Sequence, residues 1–453
     1  MDSFRSKQHV LFSLRHAKYL PTPYEPEDSN RMTLGYFCLS SLALLPCPST
    51  ASTPTPPEEE RNVRSASSSS RQRPAALQTM LRPIQRQGLI DWVYEQQLST
   101  GGFRGSDSIG SSFVVSSSST IASSSRATLD PPNIIQSYTA ILILALLEDP
   151  LERLDRSGLL RLVGECQNSD GSFSLFPGSA EPGDPRSTYS AFAICSLLND
   201  WSTIDTENGL RFLDSCRSYE GGFAQRPHAE ANAGPTYCAI ASYVLSSRLP
   251  SLPSQPSLLR WLLHRQIPPT APLRPSSPSS IPSSRDTEDS EEGEEEEDED
   301  ERHLPPMTEC AGFQGRTNKP LDACYSFWSL ASLRLLLEKN DFEELVETRK
   351  NSNWLLNCQH PLYGGIAREK GALPDVYHTY LSLAALSIGQ PTSSSSEAGA
   401  EEGEQEEEEE KEDERRGMEL GLRELDVAWN VEMTVAERFR DRIKGLQERD
   451  RGD

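Results

Sequence analysis

The chain has 453 residues and a formal net charge of −24, room for one large domain or two to three ordinary ones. That charge is local: residues 286–301 carry thirteen acids and no base, and residues 397–414 carry twelve acids against Lys411, so the rest is close to neutral. Such runs are solvated and disordered and argue against a nucleic-acid binder. Nine scattered cysteines give no small disulfide framework, and no apolar run reaches the ~18 residues that a membrane helix needs. With no secretory leader visible and a terminal ERDRGD that is not a lipidation box, a reduced, cytoplasmic protein is expected.

In chain order, residues 1–47 read as N-terminal helices, with Val10, Leu11 and Leu14 at helical spacing and MTLGYFCLSSLALL after a Pro-rich break. Residues 48–76 read as a disordered Ser/Pro/Glu linker. Over 77–391 a repeat dominates: STGGFRG, NSDGSF, YEGGFAQ, CAGFQG and LYGGIAR are five turns, each taken to need glycine at positive φ. Several follow a helix ending in Cys-Gln or a relative, and each precedes an apolar helix rich in small residues, such as STYSAFAICSLL or DVYHTYLSLAALSI. The turns are 69, 51, 90 and 53 residues apart. Two intervals hold disordered inserts, 106–130 and 268–306, whose removal leaves a period of about 50. This predicts an all-α array of helix pairs, the inner helices lining a cavity that becomes a funnel if the array closes. Residues 392–416 read as an acidic insert and 417–445 as a C-terminal packing helix.

The chemistry concentrates in GFQGRTNKPLDACYSFW, residues 312–328. Asp322 and Cys324, two apart, can clasp one zinc ion. His378 falls 13 residues after Gly365, as Cys324 falls 12 after Gly312, so the two occupy matching places on neighbouring inner helices. The three would leave a fourth zinc position open, with Asp375 orienting the histidine. The alternative is that a buried Cys and a helical His are core. Arg316 and Lys319, at the start of an inner helix, suit a phosphate or are ordinary surface bases. Tyr325 is an oxyanion donor or core; Tyr189, Tyr237, Trp328 and Tyr377 are packing or the wall of an apolar ligand site.

On GRTNKPLDACYSFW, the turns and the N-terminal helices, the chain resembles the β subunits of protein prenyltransferases, most of all the type I protein geranylgeranyltransferase β subunit. The resemblance implies an α/α toroid, one zinc ion per β subunit, a prenyltransferase α subunit as partner, geranylgeranyl diphosphate as donor, and C-terminal CaaX proteins, such as small GTPases, as acceptors. It implies Asp322, Cys324 and His378 as zinc ligands. It places Arg316, Lys319 and Tyr325 on the diphosphate, and Arg186 near the peptide end. Tyr189, Cys238 and Trp328, with Phe37 and Tyr377, would form the lipid and peptide pocket. Thr33 stands where farnesyltransferases carry a bulky Trp and leaves room for a C20 chain. Arg368 stands where farnesyltransferases carry a magnesium-linked Asp, so magnesium would be dispensable. Asn232 in EANAG replaces the family's diphosphate-binding histidine, and Tyr377 is a farnesyltransferase-like feature. The alternatives are a farnesyltransferase β subunit, a Rab-type β subunit, or a non-catalytic scaffold suggested by Asn232. A terpene cyclase on the same toroid is opposed by the lack of an Asp-x-Asp-Asp motif.

Overall fold

The computed structural model describes residues 4–46, 76–106, 131–269, 304–390 and 420–452. The expected linker, the Ser-rich, Pro/acidic and acidic inserts, apart from a few edge residues, and the first residues of the expected C-terminal helix lie outside these.

Among the described residues six helix pairs follow one another. Outer helices are α1 (Ser6–Lys18), α3 (Pro83–Glu95), α5 (Arg156–Cys166), α7 (Thr206–Ser215), α9 (Gln255–Leu263) and α11 (Thr348–Asn357). Each leads into an inner helix: α2 (Arg31–Leu44), α4 (Ile134–Leu146), α6 (Pro185–Leu198), α8 (Ala233–Leu245), α10 (Ala323–Leu336) or α12 (Val376–Gly389). The outer helices are amphipathic; α7 buries Gly209, Leu210, Phe212 and Leu213 along one stripe. The inner helices are apolar almost all round, α4 burying every residue but Ile135, and so belong in the interior. Each inner helix packs on the next and α12 packs back on α2, closing the toroid. Side-chain caps start α4, α6, α8, α10 and α12, through Asn133, Asp184, Asn232, Asp322 and Asp375.

The ring is also joined by its backbone. The first-turn N–H of one inner helix donates to the loop carbonyl of the next repeat: Met32 to Gly105 at 2.9 Å, Ile134 to Leu175 at 2.9 Å, Ala233 to Gly315 at 3.0 Å and Ala323 to Arg368 at 2.9 Å. The Val376 N–H closes the ring on the Tyr24 hydroxyl at 3.0 Å. One rung is missing: Pro185 has no N–H, and the Gln225 carbonyl in the matching place receives no such bond among the described residues.

Four residues after each rung position stands an aromatic: Tyr36, Tyr138, Tyr189, Tyr237, Phe327 and Tyr380. The five tyrosine hydroxyls converge on a hairpin loop near the C-terminus, residues 427–430. Tyr237 donates to the Val427 carbonyl at 2.8 Å, Tyr189 to Ala428 at 3.0 Å and Tyr138 to Trp429 at 2.8 Å. Tyr380 donates to the Asn430 carbonyl at 2.8 Å, and Tyr36 donates to the same atom. Burial lifts the pKa of Tyr138, Tyr189, Tyr237 and Tyr380 well above the usual tyrosine value, so all remain donors. This loop is the floor of the toroid.

Three features differ from the sequence-based expectation. Helices α1 and α2 are a sixth repeat pair, joined by a 3₁₀ segment, Thr22–Asn30, rather than a glycine turn. Gly312 is not at positive φ; a Cβ there would meet the Trp354 ring at 2.8 Å, so packing demands the glycine. The span expected as one helix over 417–445 begins, in its described part, with an antiparallel hairpin, Leu425–Asp426 against Val431–Glu432. Its helix, α13, runs Met433–Gly452, because the hairpin carbonyls bond the tyrosines instead of a helix.

Candidate metal centre and cleft

Asp322 and Asp375 are N-caps that also contact His378. Asp322 Oδ1 accepts the Cys324 N–H at 2.9 Å, starting α10, and lies 3.3 Å from His378 Nε2. Asp375 Oδ1 accepts the His378 N–H at 2.8 Å, starting α12, while its Oδ2 lies 2.6 Å from His378 Nδ1. One ligand atom each from Asp322, Cys324 and His378 falls within 4.8 Å of the others, a set that can hold one metal ion.

The electrostatics are those of a cation site. Burial works against a charged His378, but hydrogen bonds to Asp322 and Asp375 outweigh it and raise its pKa to about 9. Burial opposes the Asp322 charge too, and the bonds to His378 and Cys324 overcome it and lower its pKa. Burial, then the Asp322 charge, push the Cys324 thiol well above its usual range.

Beside this centre opens a cleft of about 510 Å³, lined among others by Arg186, Asn232, Arg316, Tyr325, Trp328 and Tyr377, a size ordinary for small-molecule sites. Asn232 caps α8 through Gly234 N–H at 3.0 Å, and its Nδ2 lies 3.4 Å from the Tyr325 hydroxyl. The Tyr325 ring lies flat on Gly315, where a Cβ would come within 2.0 Å of it. Arg316 pairs with Glu230 at 3.0 Å, and Arg186 Nε donates to Asp184 Oδ2 at 2.9 Å. Trp328 Nε1 lies 3.4 Å from the Tyr377 hydroxyl.

The other expected site residues lie elsewhere. Lys319 is exposed, on the same loop as Arg316 but outside the cleft wall. Arg368 is exposed and pairs with Glu369 at 2.8 Å. Tyr189 belongs to the tyrosine floor, and Cys238 is buried in α8. Phe37 packs against Tyr377 and Tyr380, ring centres 5.6 Å away in each case. Thr33 Oγ1 donates to Gln136 Oε1 at 3.0 Å, on the inner side of α2. The sequence reading passed over Gln225, Arg226 and Glu230, which also line the cleft. Repeat register marks one of them: Arg226 follows Gly222 by four residues, as Arg316 follows Gly312.

Residues 4–431 match the prenyltransferase alpha-alpha toroid domain. The chain is 31% identical over 391 residues to a geranylgeranyl transferase type-1 subunit beta of Dictyostelium discoideum, covering 83% of this chain and 89% of that one. It is 28% identical over 396 residues to the Arabidopsis thaliana protein of the same description, covering 85% of each. It is 24% identical over 398 residues to a Schizosaccharomyces pombe protein farnesyltransferase subunit beta, covering 85% and 78%. Its fold matches that of Candida albicans protein geranylgeranyltransferase-I complexed with GGPP, with a TM-score of 0.66 at 22% identity, over 97% of this chain and 99% of that one. This chain therefore belongs to the prenyltransferase α-α toroid family, among the protein prenyltransferase β subunits.

Proposed function

We propose that this chain is the β subunit of a heterodimeric, zinc-dependent protein geranylgeranyltransferase of type I, which moves a C20 prenyl group from geranylgeranyl diphosphate to the cysteine of C-terminal CaaX proteins, X mainly Leu. The observation that carries the reading is the meeting of Asp322, Cys324 and His378 from neighbouring inner helices, beside a cleft walled by Arg316, Tyr325 and Trp328. The donor set suits zinc: carboxylate oxygen, thiol sulfur and imidazole nitrogen are its habitual ligands. Two carboxylates hold a proton on His378 in the ion's place, so the surroundings favour positive charge.

Zinc held there supplies the Lewis acidity that lowers the pKa of a substrate thiol. In the reaction a C–S bond forms to C1 of the prenyl group as the C1–O bond breaks; diphosphate departs and the thiol proton passes to solvent. Asp375 fixes the imidazole through Nδ1, leaving Nε2 toward Asp322. Arg316, Tyr325 and Asn232 face the charge that grows on the diphosphate. Trp328 and Tyr377 give the cleft its apolar wall, and burial at ~0.8 kcal/mol per CH₂ favours a long chain. Thr33 supports C20 over C15, because its small side chain occupies little of the inner wall.

Magnesium independence rests on the sequence position of Arg368. The described cysteines are free, and no described helix is long and apolar enough to cross a membrane; both are compatible with a cytoplasmic enzyme. A farnesyltransferase is the second reading, favoured by Tyr377 in the cleft wall. Coexpression with an α subunit, followed by transfer of labelled C15 and C20 diphosphates to Leu- and Ser-ending peptides with and without magnesium, decides between them. C20 transfer to the Leu peptide without magnesium is expected. C15 transfer to the Ser peptide overturns the type I assignment, and zinc without transfer points to a scaffold.

A further inference from the structure

The cleft needs a positive charge that the residues identified so far do not leave free. Three arginines line it: Arg186, Arg226 and Arg316. Asp184 neutralises Arg186, and Glu230 neutralises Arg316. Arg226 makes no ion pair among the described residues and is exposed. Asn232, which also lines the cleft, carries no charge.

The helix terminus does not fill the gap. At the start of α8 the Ala233 N–H is bonded to the Gly315 carbonyl and the Gly234 N–H to Asn232 Oδ1. Pro235 has no N–H, and the Thr236 N–H returns to the Asn232 carbonyl. An anion in this cleft must therefore be held by side chains. Arg226 stands four residues after Gly222, the place that Arg316 holds after Gly312, so two equivalent loops aim an arginine at one cleft. A turn closed by Ala229 N–H to the Arg226 carbonyl at 3.3 Å, passing through His228 at φ 65°, brings Arg226 and Glu230 to the same wall.

We propose that Arg226 is a diphosphate-binding residue, the uncompensated cation of the cleft, and that it supplies the charge Asn232 cannot. The inference rests on the prenyl-transfer reading above. Its test uses the α/β heterodimer carrying Arg226→Gln or Arg226→Lys. The readouts are KM for geranylgeranyl diphosphate, KM for the peptide, inhibition by inorganic pyrophosphate, binding of the uncharged alcohol geranylgeraniol, and zinc content. Loss of one charge-assisted bond predicts a rise of about 10- to 100-fold in diphosphate KM and in the pyrophosphate inhibition constant for Arg226→Gln. Arg226→Lys should recover most of it, with alcohol binding and zinc unchanged.

Equal weakening of the alcohol would mean a merely structural role and overturn the proposal. A rise confined to peptide KM would assign Arg226 to the peptide carboxylate and overturn it as well, as would no change. A parent heterodimer that binds zinc but no geranylgeranyl diphosphate would overturn the prenyl-transfer reading itself, and the inference with it.

Discussion

The two ends of the toroid solve opposite problems. At the floor, four consecutive carbonyls, Val427 to Asn430, are half-buried or buried and each accepts a tyrosine hydroxyl, so polarity is cancelled inside the structure. At the mouth, Arg316 and Arg226 line a cleft beside the trio of Asp322, Cys324 and His378. There a proton held on His378 by two carboxylates, and an arginine with no ion pair among the described residues, mark charge awaiting a ligand. The same helix scaffold does both. The tyrosines four residues after the rung positions reach the floor, while the caps Asp322 and Asp375 contact His378 and the cap Asn232 lines the cleft. The difference teaches that a helix cap is the economical place for a reactive group, since Asp322 and Asp375 are already fixed by the backbone they start.

Removing a mouth ligand should be the severest change. Cys324→Ala should strip zinc and slow transfer by about 4 kcal/mol, roughly 1,000-fold, while the thermal melt stays cooperative. Metal analysis with a transfer assay checks this, and full activity without zinc would break the contrast drawn here.

Next comes the rim. His9 is buried: its Nδ1 accepts the Gly365 N–H at 3.0 Å and its Nε2 lies 2.8 Å from Gln359 Oε1, so the ring must be neutral. Burial lowers its pKa from 6.5 to about 4. The folded state then binds fewer protons than the unfolded one between those values. Its stabilisation is complete above pH ~6.5 and disappears as pH falls toward 4, by an amount of order 3 kcal/mol. Urea melts across this range should show the slope, flattened in His9→Gln; identical slopes would remove His9 from the account.

The smallest effect belongs to the floor. Tyr189→Phe strands the Ala428 carbonyl and should cost about 1–2 kcal/mol of stability. Zinc content and substrate KM should not move; a changed prenyl KM would show that the floor also shapes the ligand site.

The ring of repeats was legible because inner helices apolar on every side alternate with amphipathic ones, and glycine turns punctuate them. The metal trio was legible because Cys324 and His378 fall in matching repeat positions. The pair α1–α2 was read as helices of the toroid but not as a repeat pair, since its connection has no glycine turn. The hairpin at 425–432 escaped because its partners are tyrosines as far as 394 residues away, which no local periodicity reveals. Arg226 needed the register count carried one repeat further back than the zinc argument required. Lys319, placed by charge pattern and by the family resemblance, and Arg368, placed by the resemblance alone, are both exposed.

Four of the interrepeat rungs join main chain to main chain, so they are indifferent to the side chain at the accepting position; the one to the Tyr24 hydroxyl is not. Leu175 and Arg368 hold equivalent places yet share no chemistry. Loop residues at the rim can therefore exchange sign or size without loosening the ring, which lets substrate preference drift on a scaffold whose closure stays constant.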